Sequence, residues 1–427
     1  MSSRTPITFT KVEGKPALVP KLRFPEFRGL QGWSIEHVGD LVGESRTPSL
    51  QNDPSRRITV RLHLLGVEHR EQRGTESTES TNNFRRKAGQ FIYGKQNIHK
   101  GAFGIVPSNL DGFETSQDLP CFDFRSRCIP QWLYYHFARE AVYGPLELKM
   151  TGTGSKRLNE KAFLRLPIGV PTPVEQQKVA ECLSSVDDLI AAQARKVDAL
   201  KTHKEGLMLQ LFPREGKTQP GVRLPDFEVA ANWEVKELEE LAVRGSGHTP
   251  SKSKPEYYGG GIKWVSLADS KRLDVGVISE TETEISEQGI KHSSAVLHPA
   301  GTVLISRDAG VGKSAVMATP MAVSQHFIVW SCHGERLSNW FLYYKLQVMK
   351  PIFERMATGS TIKTIGLPFF RALRISVPGL NEQHRIADCL TSLDALITSE
   401  SHKLEALKTH KKGLMQRLFP SPDEVVA

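Results

Sequence analysis

The chain has 427 residues, with 56 Lys+Arg against 47 Asp+Glu and 39% apolar side chains. That length predicts two to three domains, and an apolar fraction of this size with 24% charged residues excludes wholesale disorder. No apolar run reaches a membrane span, the first ten residues lack the apolar centre of a secretory signal, and five scattered cysteines contain no Cys-x-x-Cys pair. A structural zinc site and a disulfide framework are therefore not expected, and a reducing cytoplasm is the expected compartment. The net charge of +9 and pI near 9.2 favour polyanionic partners.

Residues 1–19 are expected to form a flexible tail. Residues 20–170 read as a first compact domain of mixed strands, turns and short helices. Within it, residues 56–100 carry ten Lys+Arg and four Glu, a local excess of +6. Arg85, Arg86 and Lys87 precede a strand-like run, Gln90 to Tyr93. That run leads into Lys95, Gln96, Asn97, His99 and Lys100, bracketed by Gly94 and Gly101. Such polar donors between glycines suit close approach to nucleic acid; the alternative is a solvated basic loop. His63, His69 and His99 have no paired spacing that would hold a metal, and none is expected.

Residues 171–213 read as one long helix. Thr172, Pro173 and Glu175 form a capping box with proline at the first helical position. Beyond it a three-four spacing places Leu183, Val186, Ile190, Gln193, Val197, Leu200, Lys204, Leu207 and Leu211 on one seam. Seven of these nine are apolar, a coiled-coil pattern. The helix from Pro173 to Leu211 spans about 58 Å at 1.5 Å per residue. Leu-Phe-Pro ends it, because proline cannot continue a helix. Residues 214–222 form a polar linker.

Residues 220–377 read as a second mixed domain, with Tyr257 and Lys263 flanking a glycine-rich turn. A strand at residues 301–306 leads to Arg307, Lys313 and Ser314. Gly312-Lys313-Ser314 imitates the end of a phosphate-binding loop, but the glycine required five positions earlier is Arg307. Contact with DNA phosphate or base edges fits this loop better. Asp226, Glu234 and Lys236 imitate a nuclease cluster, yet the corresponding residues of the first half are Glu26, Ser34 and Glu36. No catalytic constellation stands out.

Residues 378–420 repeat residues 171–213 at a constant offset of 207, with 23 of 43 positions identical. The second seam is Leu390, Leu393, Ile397, Glu400, Leu404, Leu407, Lys411, Leu414 and Leu418. The match extends upstream, where Thr151-Gly152-Thr153 corresponds to Thr358-Gly359-Ser360 and Lys156 to Lys363; Lys156, Ser360 and Lys363 are expected DNA contacts. A second echo at offset 200 aligns Arg23, Pro25, Phe27 and Trp33 with Arg223, Pro225, Phe227 and Trp233. Between the echoes no resemblance between the halves is legible. The two helices are expected to pair antiparallel, with Lys204 near Glu400 and Lys411 near Gln193, because a parallel pair sets Lys204 against Lys411. Residues 421–427 form a tail.

Two variable regions alternating with two near-identical helices resemble the specificity subunit of a type I restriction-modification system. The resemblance rests on Glu175-Gln176-Gln177 through Leu211-Phe212-Pro213 with its second copy, on residues 89–107, on residues 259–265 and on residues 301–306. It implies an α+β chain: two mixed α/β target-recognition domains held apart by an antiparallel pair of long coiled-coil helices, a pseudo-two-fold internal repeat. It implies a non-catalytic subunit whose domains each read one half of a bipartite double-stranded DNA site. The helices would space the domains and dock two methyltransferase subunits. Restriction subunits and the methyltransferases would carry the S-adenosylmethionine, ATP and Mg²⁺ chemistry. The readings set against this are an enzyme with its own nuclease or methyltransferase site and a coiled-coil scaffold without a DNA role.

Overall fold

The computed structural model describes residues 18–49, 53–72, 83–359 and 363–423. Most of the expected N-terminal tail, the last four residues and Ser360 lie outside the described residues. The chain divides into two compact units, residues 1–193 with 403–427, and residues 194–402.

In the first unit the repeated segments meet to form a frame. A short turn, Pro25–Phe27, leads to strand Ser34–His37, which pairs antiparallel with Pro167–Val170. That second strand runs into the long helix Pro173–Leu211. Arg23 grips Glu175 with two charge-assisted bonds of 2.8 and 2.7 Å, and the Trp33 indole donates to the same carboxylate at 3.1 Å. Glu175 is 2% exposed, so its charge is stabilised only by these partners. The expected capping box is thus half present. Thr172 accepts from the Glu175 amide at 3.4 Å, but the Glu175 carboxylate turns to the frame. Gln176 ties the helix start to the domain, accepting from Ile129 N and donating to the Arg127 and Pro171 carbonyls.

The second unit builds the same frame from Pro225–Phe227, strand Glu234–Glu237, its antiparallel partner Arg374–Val377, and helix Leu380–Leu418. Arg223 and Trp233 hold Glu382, while Gln383 bonds Ser338 N, Arg336 O and Pro378 O.

Each frame carries a sheet of matching order. In the first unit the neighbours run Val42–Ser45, Cys121–Phe124, Phe91–Tyr93, Phe103–Ile105. In the second they run Ala242–Ser246, Phe327–Cys332, Val303–Ser306, Ser314–Met317, with Val277–Ile278 added at the edge. A helix packs beside each sheet. Leu133, Tyr134 and Tyr135 of Pro130–Phe137 match Leu342, Tyr343 and Tyr344 of Asn339–Met356. Between the echoes, where no sequence resemblance is legible, the two sheets nonetheless keep one strand order.

Within each unit one helix start lies against the other helix's end. Val179 and Leu183 share a core with Met415 and Leu418 in the first unit. In the second, Leu211 and partly buried Leu207 pack with Ile386 and Leu390. Burial of a leucine such as Leu183 contributes roughly 2 kcal/mol. Numbers rise along one helix as they fall along the other, since Lys204 pairs with Asp394 at 2.6 Å and Lys196 with Glu400 at 3.1 Å. The pairing is antiparallel, but its register differs from the expected one. Lys204 meets Asp394 rather than Glu400, and Lys411 meets Asp187, also at 2.6 Å.

The reason lies outside the seam. Tyr344 donates to Asp394 at 2.7 Å while the Lys204 ammonium sits 5.3 Å from the Tyr344 ring. Tyr135, Asp187 and Lys411 form the same triad, with a 2.7 Å bond and a 5.2 Å cation–ring distance. A domain tyrosine thus aims each aspartate at its lysine. All fourteen apolar seam residues are shielded: Leu183, Val186, Val197, Leu211, Leu390 and Leu418 are buried, and Ile190, Leu200, Leu207, Leu393, Ile397, Leu404, Leu407 and Leu414 are half-buried. Off the seam, Leu189 and Leu396 are exposed.

Each Leu-Phe-Pro end plugs an aromatic socket. Phe419 lies 5.8 Å from Trp33 and 6.2 Å from Trp132, with the Arg139 guanidinium 4.6 Å above its ring. Phe212 lies 5.2 Å from Phe341 and 6.3 Å from Trp233, with the Lys345 ammonium at 6.0 Å. Burial lowers Arg139 to about 10 and Lys345 to about 8.

Candidate nucleic-acid interface

One end of each sheet is built alike. In the first unit Lys95, just past strand Phe91–Tyr93, donates its amide to Asp118 O at 3.0 Å and accepts from Leu158 N at 2.9 Å. In the second, Arg307, just past Val303–Ser306, donates to His326 O and accepts from Ile365 N, both at 2.9 Å. Against this strand end lies a turn closed by a bridge, Thr151 to Arg157 in one unit and Thr358 to Thr364 in the other. Residues 151–157 are all exposed, as are Thr358, Gly359 and Lys363. Backbone pairing holds the base of each turn, and in the first unit the tip is exposed to meet a ligand.

This arrangement gathers some of the predicted contacts. In the first unit Lys156 is exposed on the turn beside Lys95, Gln96 and Asn97. Arg157 reaches Asp118 at 3.2 Å. Lys100 is exposed and His99 half-buried on the short turn Ile98–Lys100. Arg85 and Lys87 are exposed at a different place, on and just past strand Asn83–Arg85. In the second unit Arg307, Lys313 and Lys363 fall near one another. The Arg307 Nε donates to Ile365 O at 3.1 Å, and Lys313 and Lys363 line one cavity.

Several predicted contacts are interior or already engaged. Arg86 is 1% exposed and donates to Thr115 Oγ1, Ser45 O and Leu119 O at 2.7, 2.8 and 3.1 Å. It is a core strut, and burial lowers its pKa. Lys95 pairs with Glu160 at 2.7 Å. Lys263 bonds Ser279 O and Glu280. Lys313 donates to Ser270 O at 3.0 Å. Ser314 is fully buried; its hydroxyl accepts from Gln347 at 2.7 Å and its amide bonds Asp274. Tyr257 stacks on His292 with centroids 5.9 Å apart.

The look-alike phosphate loop is a hairpin, because Ser314 opens strand Ser314–Met317 rather than a helix. Gly312 is there for its φ of +85° and because a Cβ would come within 2.9 Å of Lys350. The +6 segment is likewise partly spent inside the fold. Arg57 pairs with Glu114 at 3.1 Å and Arg61 with Glu68 at 3.3 Å, beside the committed Arg86 and Lys95. A charge count along the chain could not see these partners.

Sequence reasoning missed four polar side chains at the strand end of the second unit. These are Thr249, Gln325, His326 and Asp308, linked by hydrogen bonds. Gln325 and His326 sit just before strand Phe327–Cys332, a placement that mattered only once the strand partners were known.

Residues 230–409 match the family described as the type I restriction modification DNA specificity domain. The putative MjaX specificity subunit of Methanocaldococcus jannaschii is 24% identical over 301 residues, 69% of this chain and 68% of that protein. The EcoR124I/EcoR124II specificity subunit of Escherichia coli is 30% identical over 173 residues, 39% of this chain and 42% of that protein. Two solved structures share the fold. One comes from work on complex assembly and conformational transition of a type I R-M system, with TM-score 0.58, 18% identity, and coverage of 92% of this chain and 98% of that one. The other is a type I S subunit from M. genitalium, with TM-score 0.57, 14% identity, and coverage of 94% and 99%. Among the described residues no helix is long and apolar enough to cross a membrane.

Proposed function

We infer that the chain is a specificity subunit of the type I restriction-modification family whose specificity-domain model it matches over residues 230–409, and that its two variable domains each read one half of an asymmetric bipartite DNA site. It is a DNA sequence-recognition subunit that acts in a complex with other restriction-modification subunits, and catalysis lies in those partners. The observation that carries the two-half reading is the repeated strand end, Lys95 beside the bridge Thr151–Arg157 and Arg307 beside the bridge Thr358–Thr364, on sheets of one order. The scaffold is common and the side chains on it differ, so the two half-sites differ.

In this reading the long helices set the spacing between half-sites and dock two methyltransferase subunits. S-adenosylmethionine, ATP and Mg²⁺ belong to the methyltransferase and restriction partners. Of the sequence-derived contacts, Arg85, Lys87, Gln96, Asn97, His99, Lys100, Lys156, Arg307 and Lys363 are retained as DNA-facing side chains.

Exchanging residues 43–150 for the matching region of a relative and mapping the methylated motif tests this. One half-site is expected to change while the other half and the gap stay constant; a change in both halves overturns the modular reading. In the same assay, a heptad placed after Leu200 and after Ile397 is expected to lengthen the unread gap by up to about three base pairs, from about 10.5 Å of added helix.

A further inference from the structure

Strands Ala242–Ser246, Phe327–Cys332 and Val303–Ser306 are adjacent, with Ser246 opposite Ile328 and Ser306 opposite Phe327. The residues just beyond them therefore share one rim. Gly247 lets the chain turn tightly there, since a Cβ would lie 1.6 Å from Val323 O. His248 N then bonds Val323 O at 3.1 Å, and Thr249 is delivered to Gln325.

The contacts on the rim form a chain with one consistent set of donors. The Thr249 hydroxyl donates to Gln325 Oε1 at 2.5 Å. Gln325 Nε2 lies 3.4 Å from His326 Nε2, and His326 Nδ1 lies 2.5 Å from Asp308 Oδ2. Asp308 only accepts, so it takes the Nδ1 proton of the Nδ1–H tautomer of His326. Nε2 is then the acceptor, and it takes one N–H of Gln325. The amide orientation of Gln325 is thereby fixed. Asp308 is itself held, by its backbone bridge to Thr364 and by Ser306 Oγ donating to its carbonyl. Gln325 is exposed. Among the described residues, one of its N–H groups and one oxygen lone pair remain uncommitted.

An adjacent amide donor and acceptor match the N7 acceptor and N6 donor that adenine shows in the major groove. We propose that Gln325 reads an adenine in the half-site bound by the second domain, pre-oriented by Thr249 and by the His326–Asp308 pair as positioning residues. This rests on the DNA-reading function proposed above. It concerns one half-site alone, because in the first domain the position of His326 is taken by Asp118, paired with Arg157.

The test uses the full chain in complex with its methyltransferase partners. Binding is measured on duplexes carrying every single-base change of the second half-site, and methylation is mapped alongside. Gln325→Ala is expected to lose roughly 5- to 150-fold discrimination at one A·T pair, the value of a good bidentate contact. The first half-site and the salt dependence stay as they were. Gln325→Glu, which only accepts, is expected to move preference at that pair towards cytosine. Asp308→Ala is expected to relax the same pair to a smaller degree. An unchanged motif, a uniform loss across all sequences, or a relaxed pair that is not A·T overturns the assignment. An unaltered complex without sequence-specific binding overturns the broader reading instead, so the two failures are told apart.

Discussion

In the domain at residues 20–170 the strand end carries Lys95, tied to Glu160, and Asp118, tied to Arg157. In the domain at residues 220–377 the same places carry Arg307, close to Asp308, and His326, bonded to Asp308. Beneath these rims the two domains agree contact for contact. Arg23–Glu175–Trp33 matches Arg223–Glu382–Trp233, and Tyr135–Asp187–Lys411 matches Tyr344–Asp394–Lys204. The difference teaches where change is tolerated. A buried ion pair cannot lose one partner without stranding a charge, whereas a rim side chain meets water or ligand and can be replaced without disturbing the sheet.

The largest expected effect tests whether the two frames are equivalent. Glu175→Ala strands the buried Arg23 and Glu382→Ala the partly buried Arg223, and each is expected to cost about 3–5 kcal/mol. Denaturant unfolding of the two variants should show similar losses; a loss confined to one would break the equivalence. Next comes a contrast within a single strand region. Arg86→Ala removes the donor to Thr115 Oγ1 and Ser45 O and leaves Leu119 O with the Thr115 hydroxyl alone, and the expected cost is about 3 kcal/mol. Arg85→Ala is expected to leave stability unchanged and to lower the salt slope of DNA binding by about one. Thermal unfolding and binding across a salt series separate the two, and equal effects on both properties would refute the division between core and rim. The smallest effect concerns the triads. Asp187→Ala and Asp394→Ala each remove a bond to lysine and one to tyrosine, with an expected loss of about 2 kcal/mol. The Tyr135→Phe and Tyr344→Phe variants should lose less. If the aspartate variants were neutral, the helix register would have to be set by the seam alone.

The sequence by itself determined the repeat, the two long helices, their antiparallel pairing and the absence of a recognisable catalytic motif. Heptad spacing and the recurring Glu-Gln and Leu-Phe-Pro segments are local signals, and local signals survive without knowledge of contacts. Tertiary structure decided the rest. Lys204 pairs with Asp394 because Tyr344, 50 residues before it, turns that carboxylate towards the helix. Glu175 abandons half of its capping box because Arg23, 152 residues away, supplies a stronger partner. Arg86 leaves the predicted DNA face because three acceptors converge on it inside the sheet. The shared order of the two sheets was hidden because strand interiors accept many apolar side chains of suitable size, so packing was kept while sequence drifted. The Thr249–Gln325–His326–Asp308 chain was hidden for a related reason. Its members come from three strand ends, and only the register of those strands brings them onto one rim.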